Sequence, residues 1–174
     1  RKAGSFVAQP QVHSAVLEVP DLAEIVAARG ETYRWTLTGR RPADGTWATD
    51  IALPALYVEG IHFSDSEPLA LERRLISLGT VPEAAEAAFG ETAPGTWLLH
   101  HVPWTTARHR IRAIEANRSE ATALARRPRT ACLELERTTW RAGEAVTHVR
   151  QLFPGDRYDL VADFKVSGNA PPRG

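Results

Sequence analysis

Residues that could do chemistry cluster in two stretches of this chain. The first reads as a hairpin: Leu56-Tyr-Val-Glu-Gly-Ile-His-Phe63, a turn Ser64-Asp-Ser-Glu67, and Pro68-Leu-Ala-Leu-Glu-Arg-Arg-Leu-Ile76, with proline at the strand entry. It sets His62 and Glu72 on facing strands at equivalent depth, where the two can share a face. There Glu72 could accept an imidazole N–H and His62 could give or take another, a set suited to holding a small polar ligand. The same residues could equally make a structural cross-strand pair, or leave the carboxylate facing solvent.

The second stretch flanks Phe153-Pro-Gly-Asp156, with Arg150 before it and Tyr158 after it. An arginine is the natural partner of a carboxylate, and a tyrosine hydroxyl can add a second hydrogen bond. The competing reading is an ordinary ion pair with Asp156 or Asp159 and a buried structural tyrosine. His148 lies two residues before Arg150 and shares its strand face. Trp104, Trp97 and Trp140 could supply planar walls, although tryptophans in a domain of this size are commonly core.

Other groups invite less. His100 and His101 are adjacent, so on a strand they would point apart, and with His109 they leave no third ligand at a recognisable spacing; no metal and no cofactor is expected. Arg108, Arg110 and Arg112 share one strand face, but Glu115, Glu134 and Glu136 are available to neutralise them. There is no Gly-x-Ser-x-Gly, His-Glu-x-x-His or Cys-x-x-Cys, so nothing announces an enzyme.

The bulk properties narrow the class. A chain of 174 residues, 43% apolar, can bury a core as one compact domain. Lysine plus arginine equals aspartate plus glutamate, 21 against 21, so no global positive field would hold a polyanion. The lone Cys132 excludes an internal disulfide and fits a reducing compartment. No apolar run approaches the roughly 20 residues that span a bilayer, and no signal core is visible, so the expected setting is the cytoplasm without membrane contact.

The elements that must position these groups can be placed in order. Asp21 caps a short helix with Leu22, Ile25 and Val26 at helical spacing before Gly30, and Tyr33 to Arg40 alternates as a strand. After the hairpin, Thr80-Val-Pro82-Glu83 reads as a capping box launching a helix that stops at Phe89-Gly90. Pro94 starts a second helical segment, Thr106 to Glu115 alternates as a strand, and Asn117 with Glu120 caps a helix that Pro128 ends. From Cys132 to Phe164 three strands follow as a meander. Its first strand points Ala131, Leu133, Leu135 and Arg137 one way and Cys132, Glu134, Glu136 and Thr138 the other, and the polar face could line something. This order specifies an α+β fold, an antiparallel β-sheet with flanking short helices.

Leu135-Glu-Arg-Thr-Thr-Trp140, Ala145-Val-Thr-His-Val-Arg150 and Phe153-Pro-Gly-Asp-Arg-Tyr158 resemble the C-terminal half of the UTRA domain, the effector-sensing domain of GntR-superfamily transcriptional regulators. Ile61-His-Phe63, Glu67-Pro68, Leu71-Glu-Arg-Arg74, Val102-Pro-Trp-Thr105 and Arg108-His-Arg-Ile-Arg-Ala-Ile114 extend the likeness over most of the chain. Within the superfamily it points to the histidine-utilisation repressors, the HutC subfamily, whose effector is urocanate.

The resemblance implies a chorismate lyase-like (UTRA) fold over residues 10–166, followed by a tail, 167–174. Gly4-Ser-Phe-Val-Ala8 is similar to the closing wing strand of a winged helix-turn-helix domain, so 1–9 would be its remnant and linker, with the DNA-reading helices outside this sequence. It further implies a homodimeric repressor that leaves its operator DNA when urocanate binds, through an effector site containing His62, Glu72, Trp104, Arg150 and Tyr158. Glu72 stands at the family's acidic position, and the sheet end near Arg150 and Tyr158 is the one that closes over the effector. In sugar-phosphate sensors two arginines hold the phosphate at the places of Gly60 and His62, a departure that argues against a phosphorylated sugar. The alternatives are a sensor for another small anionic metabolite and, less favoured, an enzyme of the chorismate-lyase class.

Overall fold

A computed structural model describes residues 12–15 and 21–161. Its frame is one six-stranded antiparallel sheet, built from β2 (Tyr33–Pro42), β3 (Ala55–Ser64), β4 (Glu67–Ser77), β5 (Thr106–Glu115), β6 (Ala131–Arg141) and β7 (Glu144–Pro154) in the spatial order β2-β3-β4-β7-β6-β5. Strands β1 (Val12–Ala15) and β8 (Tyr158–Val161) pair with each other in parallel as a separate two-stranded sheet. The α+β architecture read from the element order is therefore present. The final meander is not: β6 and β7 form a hairpin over Ala142 and Gly143, both at positive φ, but β8 leaves the sheet to pair with β1.

Helix α1 (Leu22–Ala28) starts where Asp21 caps it, the side chain accepting Ala23 N–H at 3.0 Å. Helix α3 (Arg118–Ala123) has the capping box foreseen from Asn117 and Glu120. The Thr80–Glu83 box does not form. Thr80 Oγ1 instead donates to the carbonyl of Ala145 on β7, and only a 3-10 turn, Pro82–Ala85, follows. A hydroxyl committed to the sheet cannot cap a helix. Helix α2 (Pro94–His101) begins with proline in its first turn. The wing remnant and the C-terminal tail fall outside the described residues.

Strand alternation gives the sheet an inner and an outer face. The inner face carries two apolar clusters. In one, Leu22 and Val26 of α1 pack on Ala70, Leu135, Phe153 and Tyr158. In the other, Leu98 and Val102 and the turn residues Val81 and Ala84 pack on Trp35, Val58, Ile76 and Val146. Between the two clusters runs a belt of buried polar side chains. On the outer face, α3 covers one end through Ala121 and Leu124 on Leu71 and Leu152, and Ala48 and Ile51 cover the other against Leu75.

Candidate functional site

The belt is laid out by strand register. One row across the sheet reads Gly60, Glu72, Gln151, Leu135; the next reads Val58, Arg74, Val149, Arg137, His109. Residues in a row share a face, so Glu72, Arg74, Gln151 and Arg137 all point inward between the apolar clusters. They floor a depression walled by Asp21, Leu22 and Thr96 on one side and by Val102 and Trp104 on another. Its cavity volume is about 40 Å³, and about 580 Å³ when all empty space including that open to solvent is counted.

Glu72 is the hub of the belt. Its Oε1 accepts Arg74 Nε–H at 2.8 Å, and its Oε2 accepts from Gln151 Nε2 at 2.7 Å and pairs with His62 Nε2 at 3.0 Å. Burial works to raise the carboxyl, but the charge of Arg74 and the His62 contact outweigh it and hold Glu72 well below the usual carboxylate range. An ionised Glu72 only accepts, so His62 carries its proton on Nε2. For neutral His62 its Nδ1 then accepts from Tyr33 O–H at 2.8 Å. Burial, with Glu72 and Asp21 nearby, pushes the Tyr33 hydroxyl up and keeps it protonated. His62 also packs under the Trp35 indole at 4.7 Å, and the indole reaches it across Gly60, where a Cβ would come within 2.3 Å of the ring. The cross-strand pair and the pocket wall are thus the same residues: Glu72 and His62 line the cavity, but their polar atoms are engaged by the protein.

Arg137 differs. It is 6% exposed and faces the cavity, and its Nε has no hydrogen-bond partner among the described residues. Burial, with the charge of Arg74 beside it, pushes the guanidinium down to about 10 against a partial offset from Glu72 and Tyr158. It remains a cation at neutral pH. An uncompensated buried charge is costly, and an anion placed against it would be correspondingly well held. Glu72, the carboxylate whose charge acts on Arg137, is already bonded to Arg74.

The structure brings together three of the five residues expected to bind effector: His62, Glu72 and Trp104 line this depression, Trp104 being 40% exposed at its rim. Arg150 and Tyr158 lie elsewhere. Arg150 is on the outer face, where it donates to Glu120 at 2.8 Å and to Glu134, within a chain of pairs that continues through Arg73 to Glu59 and through Arg112 to Glu136. Tyr158 is buried, its ring stacked on Phe153 at 3.9 Å, and contributes to the core beneath α1. The outer face is also where Glu134, Glu136 and Thr138 point, and there Glu136 and Thr138 line a second depression with Trp47, Asp50, Arg108, Arg110 and His148. Arg137, in step with Leu133 and Leu135, lines the inner depression instead. Sequence reading missed Arg137, Arg74, Gln151 and Asp21.

The remaining candidates lie outside the inner depression. The Arg108–Arg110–Arg112 stripe is met by Asp50 at 3.8 Å, Glu136 at 3.7 Å and Glu134 at 2.5 Å respectively. His148 bonds Thr138 Oγ1 on the outer face, Trp97 stacks on His101, and Trp140 lies under Arg108.

Comparison with known proteins settles the family. The model of the UTRA domain matches residues 28–159, most of the chain. The chain belongs to the UTRA domain family. The histidine utilization repressor of Klebsiella aerogenes is 30% identical over 167 residues, which span 92% of this chain and 69% of that protein. The histidine utilization repressor of Pseudomonas aeruginosa is 31% identical over 174 residues, spanning 92% and 67%. Among solved structures, the C-terminal domain of the histidine utilization repressor from Pseudomonas syringae superposes with a TM-score of 0.69 at 24% identity, covering 77% of this chain and 99% of that one. PhnF from Mycobacterium smegmatis gives a TM-score of 0.77 at 21% identity, covering 91% and 74%. This UTRA domain thus falls among repressors, and its relatives are named as regulators rather than enzymes. No helix among its described residues is long and apolar enough to cross a membrane.

Proposed function

We propose that this UTRA domain binds a small planar carboxylate, urocanate, with Arg137 as the carboxylate anchor, and that binding releases operator DNA. The observation that supports it is the buried Arg137 guanidinium facing the cavity without a hydrogen-bond partner on Nε. On the floor one carboxylate, Glu72, faces two guanidiniums, Arg74 and Arg137, and the cavity's other carboxylate, Asp21, stands on the wall. Arg74 is held in place by Glu72 and Thr147, which leaves its outer edge beside Gly95, 3.0 Å from where a Cβ would stand. Flat walls from Trp104 and the aliphatic side chains of Leu98, Val146 and Val149 suit a conjugated bridge and ring. In this reading Arg150 holds α3 to the sheet and Tyr158 holds the core, while His62, Glu72 and Trp104 keep their place in the site.

The cavity volume of about 40 Å³ admits only a few water-sized groups. A ring with an acrylate tail therefore needs α2 and the Trp104 segment to stand further from the sheet. Two arrangements with different affinities for the ligand are what a switch requires, since a ligand shifts an equilibrium only by its differential affinity. The repressor would act as a homodimer, its operator contacts made by an N-terminal winged helix-turn-helix domain and the effector-bound arrangement favouring the DNA-released pose.

Titration calorimetry tests the assignment. Urocanate should bind with micromolar or tighter affinity and one site per domain. No urocanate binding, together with micromolar binding of a sugar phosphate or a fatty acid, would remove urocanate as the effector and leave the fold untouched.

A further inference from the structure

The belt leaves a question of selectivity. Arg137 accounts for a carboxylate, but any small monoanion would satisfy it, and both oxygens of Glu72 are already taken by Arg74, Gln151 and His62. The other carboxylate on the cavity wall is Asp21. Its Oδ1 accepts twice, from Ala23 N at 3.0 Å and from Thr96 Oγ1 at 2.9 Å. Those two bonds fix the side chain between the first turn of α1 and the first turn of α2. Among the described residues no donor reaches its second oxygen, Oδ2. Asp21 is partly exposed, and its charge is felt inside the cavity, where it contributes to raising the Tyr33 hydroxyl.

We propose that Asp21 is the specificity-determining residue of this pocket: Oδ2 accepts the ring N–H of a ligand whose carboxylate lies on Arg137. This rests on the reading of the cavity as an anion site and adds the class of ligand it selects, a planar carboxylate with an N–H donor at its far end. An acceptor at one wall and a cation on the floor read a molecule from both ends. A ligand lacking the N–H covers Oδ2 without pairing it, and sites that hydrogen-bond a ligand N–H reject analogues lacking it more strongly than pockets of apolar shape do. Because Asp21 also caps α1 and is bound by Thr96 of α2, the same contact joins ligand to the two helices that close the inner face.

The test compares urocanate with trans-cinnamate, which has a phenyl ring in place of imidazole, on the wild-type domain and on Asp21→Asn. Asparagine keeps the cap and the Thr96 bond through Oδ1 but turns the second acceptor into a donor. Wild type should bind urocanate at least tenfold more tightly than cinnamate, and D21N should lose urocanate affinity until the gap is under threefold, with cinnamate affinity unchanged. D21S, which retains a capping oxygen and removes Oδ2, should close the gap in the same way if D21N folds poorly. Equal binding of the two acids to wild type, or a D21N variant that weakens both alike, overturns the role of Asp21 while leaving the anion site standing. Binding of neither acid to wild type overturns the anion site, and the role of Asp21 with it.

Discussion

Arg74 and Arg137 flank Val149 from the two strands on either side of β7, facing the same cavity, yet among the described residues only Arg74 is paired to a carboxylate. Two buried guanidiniums sharing one glutamate leave an excess positive charge on the floor itself, the cavity's second carboxylate, Asp21, standing on the wall. Proteins tolerate such an excess where a ligand completes it, because an uncompensated charge costs stability in the free form and contributes affinity in the bound one. The contrast between these two arginines is the reason to locate the effector on the inner face.

Glu72 holds the arrangement together, so its neutralisation should be expensive. In Glu72→Gln the guanidiniums of Arg74 and Arg137 would both be buried without a counter-charge. A loss of about 3–5 kcal/mol in unfolding free energy is expected, measured by urea denaturation. A loss under about 1 kcal/mol would show that Glu72 does not offset Arg74.

The acid side of the stability profile follows from the same residue. Glu72 is depressed in the folded state, so its contribution is complete above its ordinary value of 4.5 and drains away as pH falls below that towards the folded value. Glu59 and Glu120 are lowered too, by Arg73 and Arg150 against the effect of burial, and act in the same direction. Wild type should therefore lose stability steeply below about pH 4.5, and E72Q less steeply. Identical slopes for the two proteins between pH 5 and pH 2, roughly the window over which paired carboxylates titrate, would remove Glu72 from this account.

Arg150 should matter for stability and not for recognition. It binds Glu120, whose other oxygen closes the α3 capping box by accepting Asn117 N–H at 3.0 Å. Arg150→Ala should cost about 1–2 kcal/mol and speed amide exchange in α3, while urocanate affinity stays within about twofold. A tenfold loss of affinity at unchanged stability would return Arg150 to the effector site.

Much of the frame was legible because local signals agreed with it. Asp21, the His62–Glu72 hairpin and the Asn117 box are short-range patterns, and each forms as read. The misreadings share a cause: a local pattern whose partner lies far along the chain. Thr80 looked like a cap until the Ala145 carbonyl took its hydroxyl, 65 residues away. The Pro154-Gly155-Asp156 turn looked like a hairpin, but β8 pairs with the distant β1. On β6 the polar face that could line something carries Glu134 in the outer-face ion pairs and Glu136 and Thr138 at a second depression. The proposed anion site has a signal of its own, a single Arg137 in step with Leu133 and Leu135 on an apolar face.

The most direct test of the anion site is therefore Arg137→Met, a substitution of similar length that removes the charge. Calorimetry and thermal melting on the free domain should show urocanate affinity reduced at least about 100-fold, as expected when a buried charge-assisted pair is lost. The melting temperature without ligand should be unchanged or higher, because an unpaired buried cation has been replaced by an apolar chain. Urocanate binding to R137M at wild-type affinity, or a marked drop in its ligand-free melting temperature, would contradict the account.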